Sequence, residues 1–272
     1  MIKTSKTSLK NHLENELQIK SSDTVFLFSG LRGLGDMEQG PSGVVEVFEN
    51  LLLDGCLILP TFSYSWCDDK EFYREETACP LMGSISQITL GRKGYTRTNH
   101  PNFSVNVYSE DEIKKQELLE VGLDSFGANS IFHKLYINEP QTKIILLGGI
   151  FPDTPYRSTF IHTAQQIENA WYRYLKKIYS PSDQRIFATQ FVKYRSFSEY
   201  ASINKGQKSH PNSNFPIQES FDEFSYDLIS RNLLRIVPFG YSTTRVVTVQ
   251  STIEVFCSGL KRNPNYGLKH AD

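Results

Sequence analysis

Two apolar runs and the helix between them decide the fold: Thr24-Val-Phe-Leu-Phe-Ser29, then Pro41 to Leu52, then Cys56-Leu-Ile-Leu-Pro60. Both runs are short and continuous, as strands buried on both faces are. Between them Val44, Val45, Phe48, Leu51 and Leu52 recur at helical spacing behind Pro41-Ser42, and Asp54-Gly55 ends the helix. Strand, helix and strand of these lengths make a βαβ unit, which implies a parallel pair with a right-handed crossover. The alternation continues along the chain. Helices are expected at 8–17, 84–90, 111–121 and 130–136, and strands at 104–108 and 143–150. A further helix is expected from Ser158 or Thr159 to about Lys177, with Ala164, Ile167, Trp171, Leu175 and Ile178 along one face. Beyond Tyr179 the pattern changes to a strand at 187–195, a polar loop at 204–216, a helix at 220–234, a strand at 246–249 and a helix at 251–260. These elements imply an α/β protein, one domain over residues 1–272, with a mostly parallel central sheet flanked by helices and a less regular C-terminal part.

At 272 residues, 39% hydrophobic and 22% charged, the composition is that of a globular protein able to bury a large core. The net charge of -1 argues against nucleic acid or an anionic membrane as the main partner. No apolar stretch is long enough to span a bilayer, and the start of the chain, Met1-Ile-Lys-Thr-Ser-Lys6, has no signal-like apolar core. The four cysteines, Cys56, Cys67, Cys79 and Cys257, include no CxxC pair. That speaks against a zinc knuckle, and no metal is expected. Reduced thiols in a cytoplasmic protein are the default.

Four segments could carry chemistry. Ser29-Gly-Leu-Arg-Gly-Leu-Gly35 follows the first long strand, where glycines let backbone N–H groups approach a ligand, but it is neither a Walker loop nor GxGxxG. Pro60-Thr-Phe-Ser-Tyr-Ser-Trp66 opens from a strand end into hydroxyls and aromatics, at the start of a long loop reaching Pro80. Arg97-Thr-Asn-His-Pro101 offers a cation and an imidazole for a phosphate or carbonyl, although His100 could simply order a turn before proline. The fourth is His162, in the first turn of a helix that follows a strand and a Gly/Pro/Asp cluster. There the positive helix end keeps imidazole neutral and able to accept a proton. An ordinary histidine of an N-terminal turn has the same surroundings.

Taken in order, these segments resemble the aminoglycoside 3-N-acetyltransferase family, also called antibiotic N-acetyltransferases. The markers are Ser29 with Leu31, Arg32, Leu34 and Gly35; Gly40-Pro41; Asp54-Gly55; Pro60-Thr61-Phe62 with Tyr64-Ser65-Trp66; Met82-Gly83; His100-Pro101; Ser104-Val105; Phe126-Gly127 with Ser130; Leu147-Gly148; and Ser158-Thr159 with His162. They cover residues 8 to 178, and the likeness fades beyond about 180. Tyr172-Arg173-Tyr174-Leu175-Lys176 is similar to a branch found among bacterial surface-polysaccharide genes. The resemblance implies an antibiotic N-acetyltransferase-like fold and transfer of an acyl group, usually acetyl, from coenzyme A to an amine on a sugar or cyclitol. Under it, His162 is the catalytic base with Thr159 beside it. Ser29, Leu31, Arg32, Gly33 and Thr61 would line the coenzyme's pantetheine and thioester. Arg97, His100, Ser104 and Val105 would hold the rest of the coenzyme. Tyr64, Trp66, Gln165 and Arg173 would contact the acceptor. A homodimer is one assembly this reading leaves open.

One position departs from the family, whose members usually carry glutamate three residues after the histidine. Here it is Gln165, followed by Gln166, while Glu168 faces away on a helix. A neutral amide pairs less well with an ammonium or imidazolium, so either another carboxylate, Asp153 or one in the C-terminal part, fills the role, or acceptor recognition has changed. That favours an amino sugar of surface-polysaccharide synthesis, such as a nucleotide-linked one, over a polycationic aminoglycoside drug, which stands as the alternative. A thioester hydrolase using His162 with Ser158 or Ser65, and a non-catalytic binder on the same scaffold, are the other two alternatives.

Overall fold

Thr24–Ser29 (β2) and Cys56–Pro60 (β4) form strands with the bounds the sequence implies, joined by the helix Gly40–Leu51 (α2). They pair in parallel, with Thr24 opposite Cys56 and Phe26 opposite Ile58. The computed structural model describes residues 2–63, 65, 71–122, 124–149, 159–168, 171–179, 186–194, 217–264 and 266–270, with backbone alone at 171–179, 186–194, 217–219 and 268–270. Lys143–Gly149 (β7) lies parallel to β2 on its other side.

Successive side chains of these strands enter different cores, as the two-residue repeat of a strand requires. Val25 and Leu27 of β2, Leu57 and Leu59 of β4, and Ile145 and Leu147 of β7 pack with α2 residues such as Val44 and Phe48. Lys6–Asn11 (α1) adds Leu9 to that layer. Phe26, Cys56, Ile58 and Ile144 face the opposite layer. That layer is built from Ile131–Asn138 (α5), Thr159–Ile167 (α6), Asp222–Ser230 (α7) and Val249–Arg262 (α8). Burial on both sides explains why these strands are apolar at nearly every position.

The sheet has seven strands in the order β11-β12-β7-β2-β4-β6-β5, where β5 is Tyr95–Arg97, β6 Val105–Tyr108, β11 Arg235–Phe239 and β12 Ser242–Thr248. A mostly parallel sheet is correct for the centre and not for the flanks. The pairings β4–β6, β5–β6, β7–β12 and β11–β12 are all antiparallel. The hairpin between β11 and β12 turns at Gly240, whose φ of 64° is one glycine adopts readily. Outside this sheet, Lys3–Thr4 (β1) pairs with Asp36–Met37 (β3), and Ile217–Glu219 (β10) with Leu268–His270 (β13). The helices Gly83–Ile88 (α3) and Glu112–Leu119 (α4) flank β5 and β6 in the chain.

The helix expected to run to Lys177 ends at Ile167. Trp171–Tyr179 (β8) is instead a strand paired antiparallel with Ile186–Tyr194 (β9). Its aromatic and β-branched content suits a strand, and the helical spacing of Trp171, Leu175 and Ile178 is coincidental. Within the C-terminal part, residues 235–262 are regular, supplying one edge of the main sheet and α8. The helix expected at 8–17 is α1 continued by a π turn over His12–Glu16. The polar stretch 204–216 lies outside the described residues.

Candidate functional site

At the sheet's centre β2 has β4 on one side and β7 on the other, so the chain leaves its carboxyl end at a reversal of strand order. Open α/β sheets bind ligands in the crevice at such a point. The segment leaving β2 there is Ser29 to Gly35, with a 3-10 turn at Leu31–Leu34. Ser29 and Leu31 are half-buried and Arg32 is exposed, so all three can meet a ligand. The Gly33 N–H donates to Gly30 O at 3.0 Å, its carbonyl accepts from Tyr241 N–H at 2.7 Å, and a Cβ there would sit 2.2 Å from Gly148 O. Gly33, expected at the coenzyme, is buried, and its lack of a side chain lets the turn seat against β7 and the β11–β12 hairpin.

Across the sheet, α6 is anchored by Phe160, whose ring lies 5.2 Å from Phe26 of β2 and 5.5 Å from Phe132 of α5. This packing fixes the helix that carries His162. The imidazole is 8% exposed and lies against the Phe126 ring, with centroids 4.8 Å apart. His162 Nδ1 lies 3.0 Å from Gln165 Oε1. An amide oxygen only accepts, so Nδ1 carries the hydrogen and Nε2 the lone pair. Thr159, one turn earlier on the same face, is buried, and among the described residues its Oγ1 has no hydrogen-bond partner. Gln165, expected to contact the acceptor, is 1% exposed and turns its amide oxygen to His162. Glu168 pairs with Lys261 of α8 at 3.1 Å.

The Arg97 segment, expected to hold part of the coenzyme, spends its side-chain donors inside the fold. The Arg97 guanidinium is 1% exposed and makes six hydrogen bonds. Nε donates to Thr61 Oγ1 and Ser104 Oγ, Nη1 to the carbonyls of Arg74 and Thr77, and Nη2 to Thr61 O and Ser63 Oγ, at 2.5–3.1 Å. Burial lowers its pKa from the usual arginine range to about 10, so it stays a cation at neutral pH. No donor is left for a phosphate, and the same knot occupies Thr61 and Ser104. Val105 is fully buried in the core. His100 orders a turn, the simpler of its two readings. Its Nδ1 accepts from the backbone N–H of Asn102 and Phe103 at 3.1 and 2.8 Å. Nε2 must then carry the hydrogen, and it faces Ser125 Oγ at 3.2 Å. Burial drives the His100 pKa down to about 3, so the ring is neutral. Thr61, Arg97, His100, Ser104 and Val105 are thus buried, with their polar side-chain groups bonded within the fold.

Tyr64 and Trp66 lie outside the described residues, as do Asp153 and Ser158. Arg173 is on β8, not on the His162 helix. Phe126 is legible in the sequence only as a motif residue, and nothing local marks it as the ring beside His162.

A family model described as aminoglycoside 3-N-acetyltransferase matches residues 26–260. The chain belongs to this family. It is an acyltransferase by class, with acetyl-CoA as co-substrate. No curated protein sequence matches it. Among solved structures, it is similar to a mutant of aminoglycoside acetyltransferase AAC(3)-IVa in complex with apramycin, at 18% identity and a TM-score of 0.74, over 97% of this chain and 95% of that one. It is similar to AAC-IIIb in a binary complex with CoASH, at 14% identity and a TM-score of 0.71, over 96% and 97% of the two chains. The YokD protein of Bacillus subtilis shares 19% identity at a TM-score of 0.64, over 97% and 95%. At such identities the aminoglycoside 3-N-acetyltransferase structures speak for the fold. Among the described residues no helix is long and apolar enough to cross a membrane.

Proposed function

We propose that this protein acetylates a primary amine of an aminoglycoside-type acceptor, with acetyl-CoA as donor. The observation that carries the reading is the buried His162 on α6, its Nδ1 hydrogen held by Gln165, in a member of this family. Ser29, Leu31 and Arg32 fit the thioester end of the donor, because they stay accessible at the carboxyl end of β2. The donor supplies an acyl group activated as a thioester. His162 Nε2 takes the proton of the acceptor amine as its nitrogen bonds the acyl carbon, the C–S bond breaks to release the coenzyme's thiolate, and the imidazolium proton passes to that sulfur, leaving the thiol and a neutral His162. Thr159 Oγ1, a hydroxyl on the same helical face with no partner among the described residues, is suited to the negative charge that develops on the acyl oxygen.

A preference for a polysaccharide precursor requires Gln165 to face the acceptor. Gln165 is buried against His162 instead, so that argument lapses. The complexes with aminoglycosides among the similar structures support the aminoglycoside alternative. The test is kcat/KM for apramycin- and gentamicin-like amines against nucleotide-linked amino sugars, read as coenzyme A thiol release. The reading expects preference for the aminoglycosides. Preference for the nucleotide-linked sugars would overturn it.

A further inference from the structure

We propose that Gln165 is a positioning residue that sets the tautomer of His162 without adding charge. The inference rests on the acyltransferase reading for its catalytic consequence, while its structural content stands alone. Gln165 lies one turn after His162 on α6, is 1% exposed, and presents its amide oxygen to Nδ1 at 3.0 Å. An acceptor there forces the ring hydrogen onto Nδ1, leaving the lone pair on Nε2. A carboxylate in that place would set the same tautomer and also stabilise the imidazolium. The amide does the first and not the second. The base therefore keeps its lone pair to lower pH than it would beside glutamate, and it returns its proton more easily after transfer.

The groups around the ring are common to every variant at this position. α6 packs against α8, which carries Glu254, Cys257 and Lys261, and against α5, which carries His133, Lys134 and Tyr136. Cys257 Sγ reaches Ala164 O at 3.7 Å, and Glu168 is occupied by Lys261. β8 brings Arg173, Lys176 and Lys177 into the following strand. Beyond the Phe126 ring lies Phe103, with the neutral His100 against it, and Asp124 is two residues before Phe126 in the chain. A difference between variants thus reports position 165 alone.

The experiment has two arms on the full chain. In the first, imidazole 15N chemical shifts are recorded at a pH where the ring is neutral, with His162→Ala identifying the signal. Wild type and Gln165→Glu are expected to show the Nδ1–H form, and Gln165→Leu a shift towards the Nε2–H form. An Nε2–H wild type, or a leucine variant with an unchanged tautomer, overturns the proposal without reference to any activity. In the second arm, kcat/KM is followed against pH. Gln165→Leu should lower kcat about tenfold at every pH and leave KM for acetyl-CoA within about twofold, less than the roughly 10²–10⁴-fold that loss of the general base itself costs. Gln165→Glu should retain turnover and move the acid limb up by roughly 1–2 pH units, the usual effect of an adjacent carboxylate. An acid limb that stays in place with glutamate also overturns the proposal. A wild type with no transfer activity would remove the acyltransferase reading, and the tautomer arm would still decide this one.

Discussion

Replacing Arg97 by lysine separates a structural knot from a phosphate ligand. Arg97 reaches two groups of acceptors at once: Thr61, Ser63 and Ser104 on one side, and the carbonyls of Arg74 and Thr77 on the other. Lysine has three donors on one nitrogen and cannot span both. Thr61 O keeps a partner in Ser104 Oγ, so the groups left bare are Arg74 O and Thr77 O. Both carbonyls are only partly buried, so each costs at most about 1–3 kcal/mol when left unpaired, an upper bound of about 2–6 kcal/mol for the pair. Phe72, whose ring lies 5.0 Å from the guanidinium carbon, loses its cation contact as well. In a chain of this size the melting temperature should fall by at most roughly 5–20 °C. Thermal unfolding measures the loss, and calorimetric titration at low temperature measures coenzyme A binding by the folded fraction. A large fall in stability with affinity within a few-fold of wild type is expected. A variant that melts with the wild type and no longer binds coenzyme A would show that Arg97 holds a phosphate, and the interior placement would be wrong.

Acid should unfold the protein partly through His100, whose folded pKa of about 3 lies below the ordinary histidine value of 6.5. The neutral ring is the one the fold prefers, so this stability is complete above about pH 6.5 and is lost as pH falls from there towards 3. The slope is at most about 1.4 kcal/mol per pH unit and the total is on the order of 5 kcal/mol. Urea midpoints across that window should fall less steeply in His100→Asn, which keeps an acceptor for the two N–H groups and cannot be protonated; an equal slope would show that other groups dominate. His12, whose pKa burial also lowers, acts in the same direction and remains in both proteins. Gly33→Ala places a methyl 2.2 Å from Gly148 O and 2.9 Å from Ser242 Cβ, so it should cost about 1–3 kcal/mol and weaken coenzyme A binding by displacing Ser29 and Leu31. Wild-type melting and affinity in that variant would refute the close approach.

The central strands are legible in the sequence because burial on both faces leaves an unbroken apolar run between polar or glycine ends, as at Thr24–Ser29 and Cys56–Pro60. The flanks are not. Tyr95–Arg97 is too short to show a period, and Pro238 argues against a strand until Arg235–Phe239 is seen at the sheet edge, where a missing donor is tolerated. Strand direction leaves no mark in such short segments, so the antiparallel flanks cannot be read. In the site, His162 is legible from its place in a first helical turn. Gln165 is legible as a departure, but three residues along a helix fixes only a shared face. Whether that face meets an acceptor or closes on the imidazole depends on α8 and Phe126, both distant in sequence. Arg97 and His100 show the limit most plainly. Their chemistry suits a ligand, and only the surrounding carbonyls, hydroxyls and turn N–H groups reveal that it is spent inside the fold.

The central claim is that His162 deprotonates an amine acceptor for acetyl transfer. Thiol release from acetyl-CoA, measured with and without an aminoglycoside for the wild type and His162→Ala, tests it most directly. The account predicts release by the wild type only when the amine is present, reduced on the order of 10²–10⁴-fold by the substitution, with coenzyme A affinity little changed. Release without an amine, or near-normal release by His162→Ala, would contradict it.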